Sequence, residues 1–303
     1  MAKQKSTITE FQKYELPLRL PVLLRNKISL SSDDRMHFHN CLEIGICHSG
    51  SGHLVFLEKS FPFQAGDITV IPKNIPHIFR HASEQDNEWS FLYLEPQELY
   101  RELLPAAWKN FELSSRFLPI FNREHYSKIY YLVSEIICEL REQKTNYSLS
   151  VKGLLLSLYI ELIRIETDAI GGNLLGGGYN DNAADKAASD VTGPLTIMPA
   201  LHFIEQNYMH QFTIEQLADL CHWSPTHFRR MFHSIMGVSP LEYVNATRIF
   251  KARLLLYSTE DSILNISETV GFHSVSSFNR AFLKAMQISP REYRKQVRIN
   301  HLL

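Results

Sequence analysis

Residues 214–243 carry Ile214, Leu217, Ala218, Cys221, Trp223, Ser224, Phe228, Arg230, Met231, Phe232, Ser239-Pro240 and Tyr243. Residues 263–293 carry Ile263, Ile266, Ser267, Val270, Phe272, Ser274, Phe278, Arg280, Ala281, Phe282, Ser289-Pro290 and Tyr293. The second stretch repeats the first, in register except for one residue gained where Trp223-Ser224 becomes Phe272-His273-Ser274. A repeat of this length is one supersecondary unit used twice. Each copy spaces its apolar residues as a short amphipathic helix, a tight turn and a second amphipathic helix, the layout of a helix-turn-helix. Two such units in tandem can address two stretches of major groove, so double-stranded DNA is the first partner the sequence points to.

The capping residues support that reading. Thr213 followed by Gln216 has capping-box spacing, and Ser262 with Asn265 is a weaker form of it. Ser224-Pro225 sets a good N-cap residue before a proline at the first helical position, where the missing N–H costs nothing. Ser274 stands at the same end of the matching helix. Phe228, Met231 and Phe232, and in the second copy Phe278, Ala281 and Phe282, recur at i, i+3, i+4 and predict one buried stripe per helix. The opposite face carries Thr226, His227, Arg229, Arg230 and His233 in the first copy, and Ser276, Ser277, Asn279, Arg280 and Lys284 in the second. Arginine can fork onto guanine and asparagine can pair bidentately with adenine, so these faces are candidate base readers. A polar helix face is commonly just a solvated one; two registered copies of it weigh against that plainer alternative.

Residues 195–298 resemble the DNA-binding domain of AraC/XylS-type transcription regulators over its whole length. The resemblance implies an all-α domain of seven helices at 195–303, with a leading helix near 197–208 and a long joining helix near 240–257. It places Thr226, Arg229 and Arg230 at base-facing positions of one recognition helix, and Ser276, Asn279 and Arg280 at those of the other. His227 and Lys284, on the same two faces, complete the candidate DNA-binding set. Three positions depart from the family pattern: Gln287 stands where glycine is usual, Ser267 where alanine is usual, and Leu283 where a cation is common, which weakens phosphate contact there. The resemblance also implies a homodimer, and RNA polymerase as a partner during activation.

With 303 residues the chain has room for two domains. No apolar run approaches membrane-spanning length, and the N-terminus lacks an apolar signal core. Cys41, Cys47, Cys138 and Cys221 show neither disulfide-framework nor zinc-site spacing, so a reducing cytoplasmic setting without membrane attachment is expected. Net charge is −1 overall, but from Leu195 onward eleven cations face eight anions, leaving an acidic first part and a mildly basic second. That split is compatible with DNA binding without establishing it.

Residues 171–194, rich in Gly, Asn, Asp and Ala, have too little apolar content to fold alone and read as a flexible linker. Before them, residues 1–170 form the other expected domain. From Leu20 to Leu94 apolar and polar residues alternate, as in Leu42-Glu43-Ile44-Gly45-Ile46 and Asp67-Ile68-Thr69-Val70-Ile71, which predicts short strands in a small β-barrel or sandwich. The period then changes, and 123–144 and 148–167 read as two amphipathic helices joined at Thr145-Asn146-Tyr147. Such a hairpin can pack on the barrel or on a second copy of itself. The fold class expected is α+β in two domains.

One constellation stands out in the strands. His37-x-His39-x3-Glu43-x6-Gly50 is followed by Gly66-x5-Pro72-x4-His77. These are similar to the two signature motifs of the cupin fold, which set three imidazoles and a carboxylate around one metal inside a β-barrel. Here Asn74 replaces the usual glycine and His81 the usual asparagine. Residues 37 and 39 point the same way on a strand, and imidazole with carboxylate suits a divalent Fe, Mn, Ni or Zn ion. Cupin-type sensor domains of this regulator family often keep such histidines while binding a sugar or nothing detectable, so the four residues are also candidates for lining an effector pocket.

The sequence thus points to a non-enzymatic transcription regulator whose small-molecule effector, by resemblance a sugar or related metabolite, acts through the first domain. The alternative is a metal-dependent cupin enzyme with an accessory DNA-binding domain. It needs all four ligands plus an open coordination position, and it leaves two recognition helices without a use.

Overall fold

The computed structural model describes residues 10–17, 19–30, 35–56, 59–82, 87–99, 118–170 and 196–299. The chain divides into two compact units, Met1–Leu195 and Thr196–Leu303. The linker expected at 171–194 lies outside the described residues.

The first unit runs β1 (Glu10–Gln12), β2 (Val22–Leu30), β3 (His37–His39), β4 (Leu42–Ser49), β5 (Ser51–Phe56), β6 (Lys59–Gln64), β7 (Ile68–Ile71), β8 (His77–His81), β9 (Asn87–Leu94), α1 (Pro96–Leu99), β10 (Ile120–Phe121), α2 (Ser127–Glu142) and α3 (Tyr147–Ile170). The strands form two five-stranded sheets, ordered β1-β3-β8-β5-β6 and β10-β7-β4-β9-β2. Only β1 and β3 run parallel among the paired strands described.

Period-2 alternation decides what each face of the second sheet meets. Leu42, Ile44 and Ile46 of β4, with Leu92 and Leu94 of β9, share one apolar core with Val133, Ile136, Leu155, Leu158 and Leu162 of the helices. The intervening residues turn toward the other sheet: Phe91 meets Phe79 at 5.8 Å, and Tyr93 stands edge-on to His39 at 5.8 Å. The hairpin therefore packs on the back of the sheet that carries Glu43. Burying Ile129, Leu132, Val133, Ile136 and Ile137 of α2 contributes on the order of 10 kcal/mol before chain entropy is subtracted.

Expected and observed helix limits differ by a few residues. Helix α2 starts at Ser127 rather than 123 because Asn122 first closes a turn, its side chain accepting from Glu124 N–H and its carbonyl from Tyr126 N–H. It stops at Gln143, which adopts a left-handed φ of 48°.

The second unit holds seven helices among the described residues: α4 (Met198–Asn207), α5 (Ile214–Leu220), α6 (Pro225–Met236), α7 (Pro240–Ser258), α8 (Ile263–Thr269), α9 (Val275–Met286) and α10 (Pro290–Ile299). Thr213 and Gln216 form the full capping box at α5, and Ser224, Ser262 and Ser274 each accept from the third backbone N–H of their helices. Ser239 with Glu242 adds a second box at α7. The sequence repeat is also a packing repeat. Phe228, Phe232, Phe278 and Phe282 are fully buried, and Tyr243 and Tyr293 set their edges against Phe232 and Phe282 at 5.7 and 5.4 Å. Ser267 is buried at its alanine-like position because its hydroxyl donates back to the Leu264 carbonyl at 2.8 Å, as serine in a helix can.

Candidate functional site

Helices α6 and α9 present the candidate DNA-reading faces. Thr226, Arg229 and Arg230 are exposed on α6, and Ser276, Asn279, Arg280 and Lys284 on α9, with His227 half-buried. The aromatic stripe opposite them is what fixes this orientation. Thr226, Arg229, Arg230, His233 and Ser234 line one open groove along α6; of these, Ser234 lies outside the sequence pattern of the recognition faces. Three candidates have partners already. Arg230 Nη2 lies 3.2 Å from His227 Nδ1, while the Trp223 ring stands edge-on to the His227 ring at 4.9 Å. Lys284 reaches Glu242, the capping residue of α7, at 3.6 Å, with both side chains well exposed.

The four residues singled out in the first unit do converge. His37 and His39 sit on β3, His77 opposite His37 at the head of β8, and Glu43 on β4 of the facing sheet. Atoms of His37, Glu43 and His77 lie within 4.8 Å of one another. His39 Nε2 approaches Glu43 Oε2 at 3.2 Å, and His77 Nε2 approaches Glu43 Oε1 at 3.7 Å. His39 and His77 have no exposed surface, Glu43 has 1% and His37 7%.

Each imidazole is oriented by its far nitrogen. Nδ1 of His37, His39 and His77 lies 2.9 Å from the carbonyls of Arg35, Cys41 and Ile75 respectively. A carbonyl only accepts, so these Nδ1 atoms donate, which turns each Nε2 toward the interior. Burial and the neighbouring His37 hold His77 well below the usual imidazole range, so it is neutral. Burial by itself would raise the Glu43 carboxyl; the His39 contact and the surrounding imidazoles outweigh it and hold the group at about 2, so it is ionised. His39 Nε2, His77 Nε2 and Glu43 Oε1 are buried without a hydrogen-bond partner. The His39–Glu43 contact is a hydrogen bond only when the ring carries a second proton; with a neutral ring, acceptor faces acceptor.

Three further residues close the site. Tyr14 stacks on Tyr93 at 3.9 Å and stands edge-on to His39 at 6.0 Å. Asn40 holds Tyr14 by accepting from its N–H at 2.8 Å and donating to its carbonyl at 3.1 Å. Tyr93 was legible as an inward position of β9 in step with Phe91, whereas no pattern marked Tyr14 or Asn40. Asn74, at the position where a cupin motif has glycine, takes the left-handed φ of 63° that such a position demands.

The AraC-like ligand binding domain family matches residues 31–159 and the helix-turn-helix domain family residues 217–296. The chain belongs to the AraC family of transcription regulators. It is therefore a DNA-binding regulator with a ligand-binding domain. Over 293 residues it is 24% identical to YdeC, an HTH-type transcriptional regulator of Bacillus subtilis strain 168, with 95% of each chain covered. It is 34% identical over 105 residues to the lactose operon transcription activator of Staphylococcus xylosus, which covers 35% of this chain and 38% of that one. Among solved structures it is similar to the DNA-binding domain of AdpA in complex with a target DNA, at 27% identity and a TM-score of 0.32 over 33% of this chain and 91% of that chain. No helix among the described residues is long and apolar enough to cross a membrane.

Proposed function

We propose that this AraC-family chain is a cytoplasmic, non-enzymatic regulator that reads an operator through Thr226, His227, Arg229, Arg230, Ser276, Asn279, Arg280 and Lys284, and senses its effector at His37, His39, Glu43 and His77. Domain 1–170 carries dimerisation and sensing, 171–194 is the linker, and 195–303 reads DNA, with RNA polymerase a further partner at the promoter. The name of the lactose operon relative supports a sugar or related metabolite as the effector.

One observation carries the sensing assignment. Nε2 of His39 and of His77 and Oε1 of Glu43 are buried without a hydrogen-bond partner, and His37, Glu43 and His77 bring ligand atoms within 4.8 Å of one another. A divalent cation satisfies such a set, because neutral imidazole and ionised carboxylate are the protonation states that ligate. His37, Glu43 and His77 would hold the ion with His39 beside them, and the ion would supply a Lewis-acid centre for oxygen groups of an effector. The Nδ1 donations to three carbonyls are the orienting contacts that metal-ligating histidines use.

The test replaces His39 and His77 by Ala together, measures effector-dependent reporter output in cells, and analyses metal in the purified protein. The expected result is stoichiometric divalent metal in the wild type, lost together with induction in the double variant while operator binding persists. Normal induction in the double variant would remove the cluster from sensing.

A further inference from the structure

The two helix-turn-helix units touch each other at a second place besides the joining helix α7. The loop after α4 leads into the first unit, and its carbonyls at Tyr208 and His210 accept hydrogen bonds from Arg248 of α7, Nε at 2.7 Å and Nη2 at 3.0 Å. Arg248 is 6% exposed. The same loop lies on the turn of the second unit. A Cβ placed on Gly271 would stand 2.6 Å from the Met209 carbonyl oxygen and 2.7 Å from that of Tyr208, and Gln211 Nε2 donates to the Gly271 carbonyl at 2.9 Å. The Arg248 guanidinium also lies 5.7 Å from the centre of the Phe272 ring, the next residue of that turn.

Comparison of the two copies shows that glycine is there for the contact as well as for the turn. His222 holds the equivalent position in the first unit, with a left-handed φ of 57° against 89° at Gly271. The first turn accommodates a full side chain, and His222 is exposed. Only where the other unit rests on the turn does the side chain disappear.

We infer that Arg248, Gln211 and Gly271 form a latch that fixes the separation of α6 and α9, and so sets the spacing between the two half-sites the protein accepts. Helix α7 joins the units and packs against α6 of the first and α8, α9 and α10 of the second, yet a single connecting helix can still flex as a hinge. The loop-to-turn contact supplies a second point of attachment beside Ser274, the N-cap of α9. One base pair moves the second groove segment by about 3.4 Å along the axis and turns it by about a tenth of a revolution. A latched pair of helices cannot follow that displacement, whereas a hinged pair can. Arg248 and Gln211 are positioning residues here, since neither lies on a recognition face.

The inference rests on both helices entering DNA, and the test separates the two ideas. Full-length wild-type protein selects its duplex from a random pool. That duplex is then remade with one base pair inserted or removed between the half-sites. Wild type is expected to bind the native spacing about tenfold more tightly than either altered one. Gln211→Ala, Arg248→Lys and Gly271→Ala are expected to cut that ratio to about threefold or less, with half-site preference kept. Gln211→Ala removes one exposed side chain and one hydrogen bond, so it decides the matter if the buried variants do not fold. Folded variants that keep the wild-type ratio would overturn the latch alone. A wild type indifferent to spacing would overturn the two-helix reading and the latch with it.

Discussion

Arg230 and His227 are hydrogen-bonded to one another on the exposed side of α6, Nη2 to Nδ1 at 3.2 Å. The guanidinium donates and His227 accepts at Nδ1, and Trp223 backs the ring edge-on. The second unit has Ser277 in the place of His227, and Ser277 donates instead to its own helix cap, Ser274 O, at 2.8 Å. Arg230 is thus pre-oriented in a way Arg280 is not. Arg230→Ala and Arg280→Ala are each expected to lower specific DNA affinity by about 1–3 kcal/mol with the fold intact. His227→Ala is expected to weaken binding less, and to add nothing once Arg230 is gone, because the two act as one unit. Titration with operator and random duplexes checks this; equal losses on both would make the arginines phosphate contacts.

Lys284 faces Glu242 across two well-exposed side chains, a pair that salt and side-chain entropy leave weak. Lys284→Ala is therefore expected to leave thermal stability unchanged. Because Leu283 beside it supplies no cation, the loss should appear in DNA binding as a uniform weakening, with the salt slope reduced by about 1. An unchanged slope would confine Lys284 to its pair with Glu242.

The helix ends of the two units supply matched stability tests. Gly237 ends α6 at a φ of 69° and Gln287 ends α9 at 60°. A Cβ at Gly237 would meet nothing within 4 Å, so Gly237→Ala is expected to lose about 1 kcal/mol from backbone conformation alone. Gln287→Gly is expected to gain about as much, less what the Gln287 donation to the Lys284 carbonyl at 3.0 Å contributes. Denaturant midpoints measure both, and equal midpoints for Gln287→Gly and wild type would show that the hydrogen bond fully offsets the strain.

Binding of a divalent ion to the folded cluster raises Tm by mass action, by about 2.7 kcal/mol of stability at a hundredfold excess over Kd. Zinc, manganese, nickel or iron(II) titrated into chelator-treated protein is expected to raise the melting temperature, and His77→Ala to abolish the shift. A shift of equal size in the variant would locate the ion elsewhere.

Where a periodic pattern repeats, the fold was plain in the chain. Phe228, Phe232 and their counterparts Phe278 and Phe282 announced both helix-turn-helix units, and the serines and Thr213 announced where helices begin. The histidine motif likewise located four side chains that meet in space. What stayed hidden depends on contacts between segments that share no pattern. Tyr14 reaches the cluster only because β1 pairs in parallel with β3, Glu10 opposite His37. Arg248 reads as one more polar residue of a long helix until the loop at Tyr208 folds over it. Asn122 shifted the start of α2 through side-chain bonding in a turn, which apolar spacing does not register.

The strand that carries Glu43 has two audiences. Its carboxylate faces three imidazoles on the opposite sheet, while Leu42 and Ile44 on either side press into α2 and α3. A group bound between the sheets draws on both walls of the sandwich at once, and close-packed cores pass such displacements on rather than absorbing them. The hairpin, whose Tyr131 and Leu149 remain on the surface, is thus one side chain away from the occupancy of the cluster. A second chain resting on those helices would be listening through the wall.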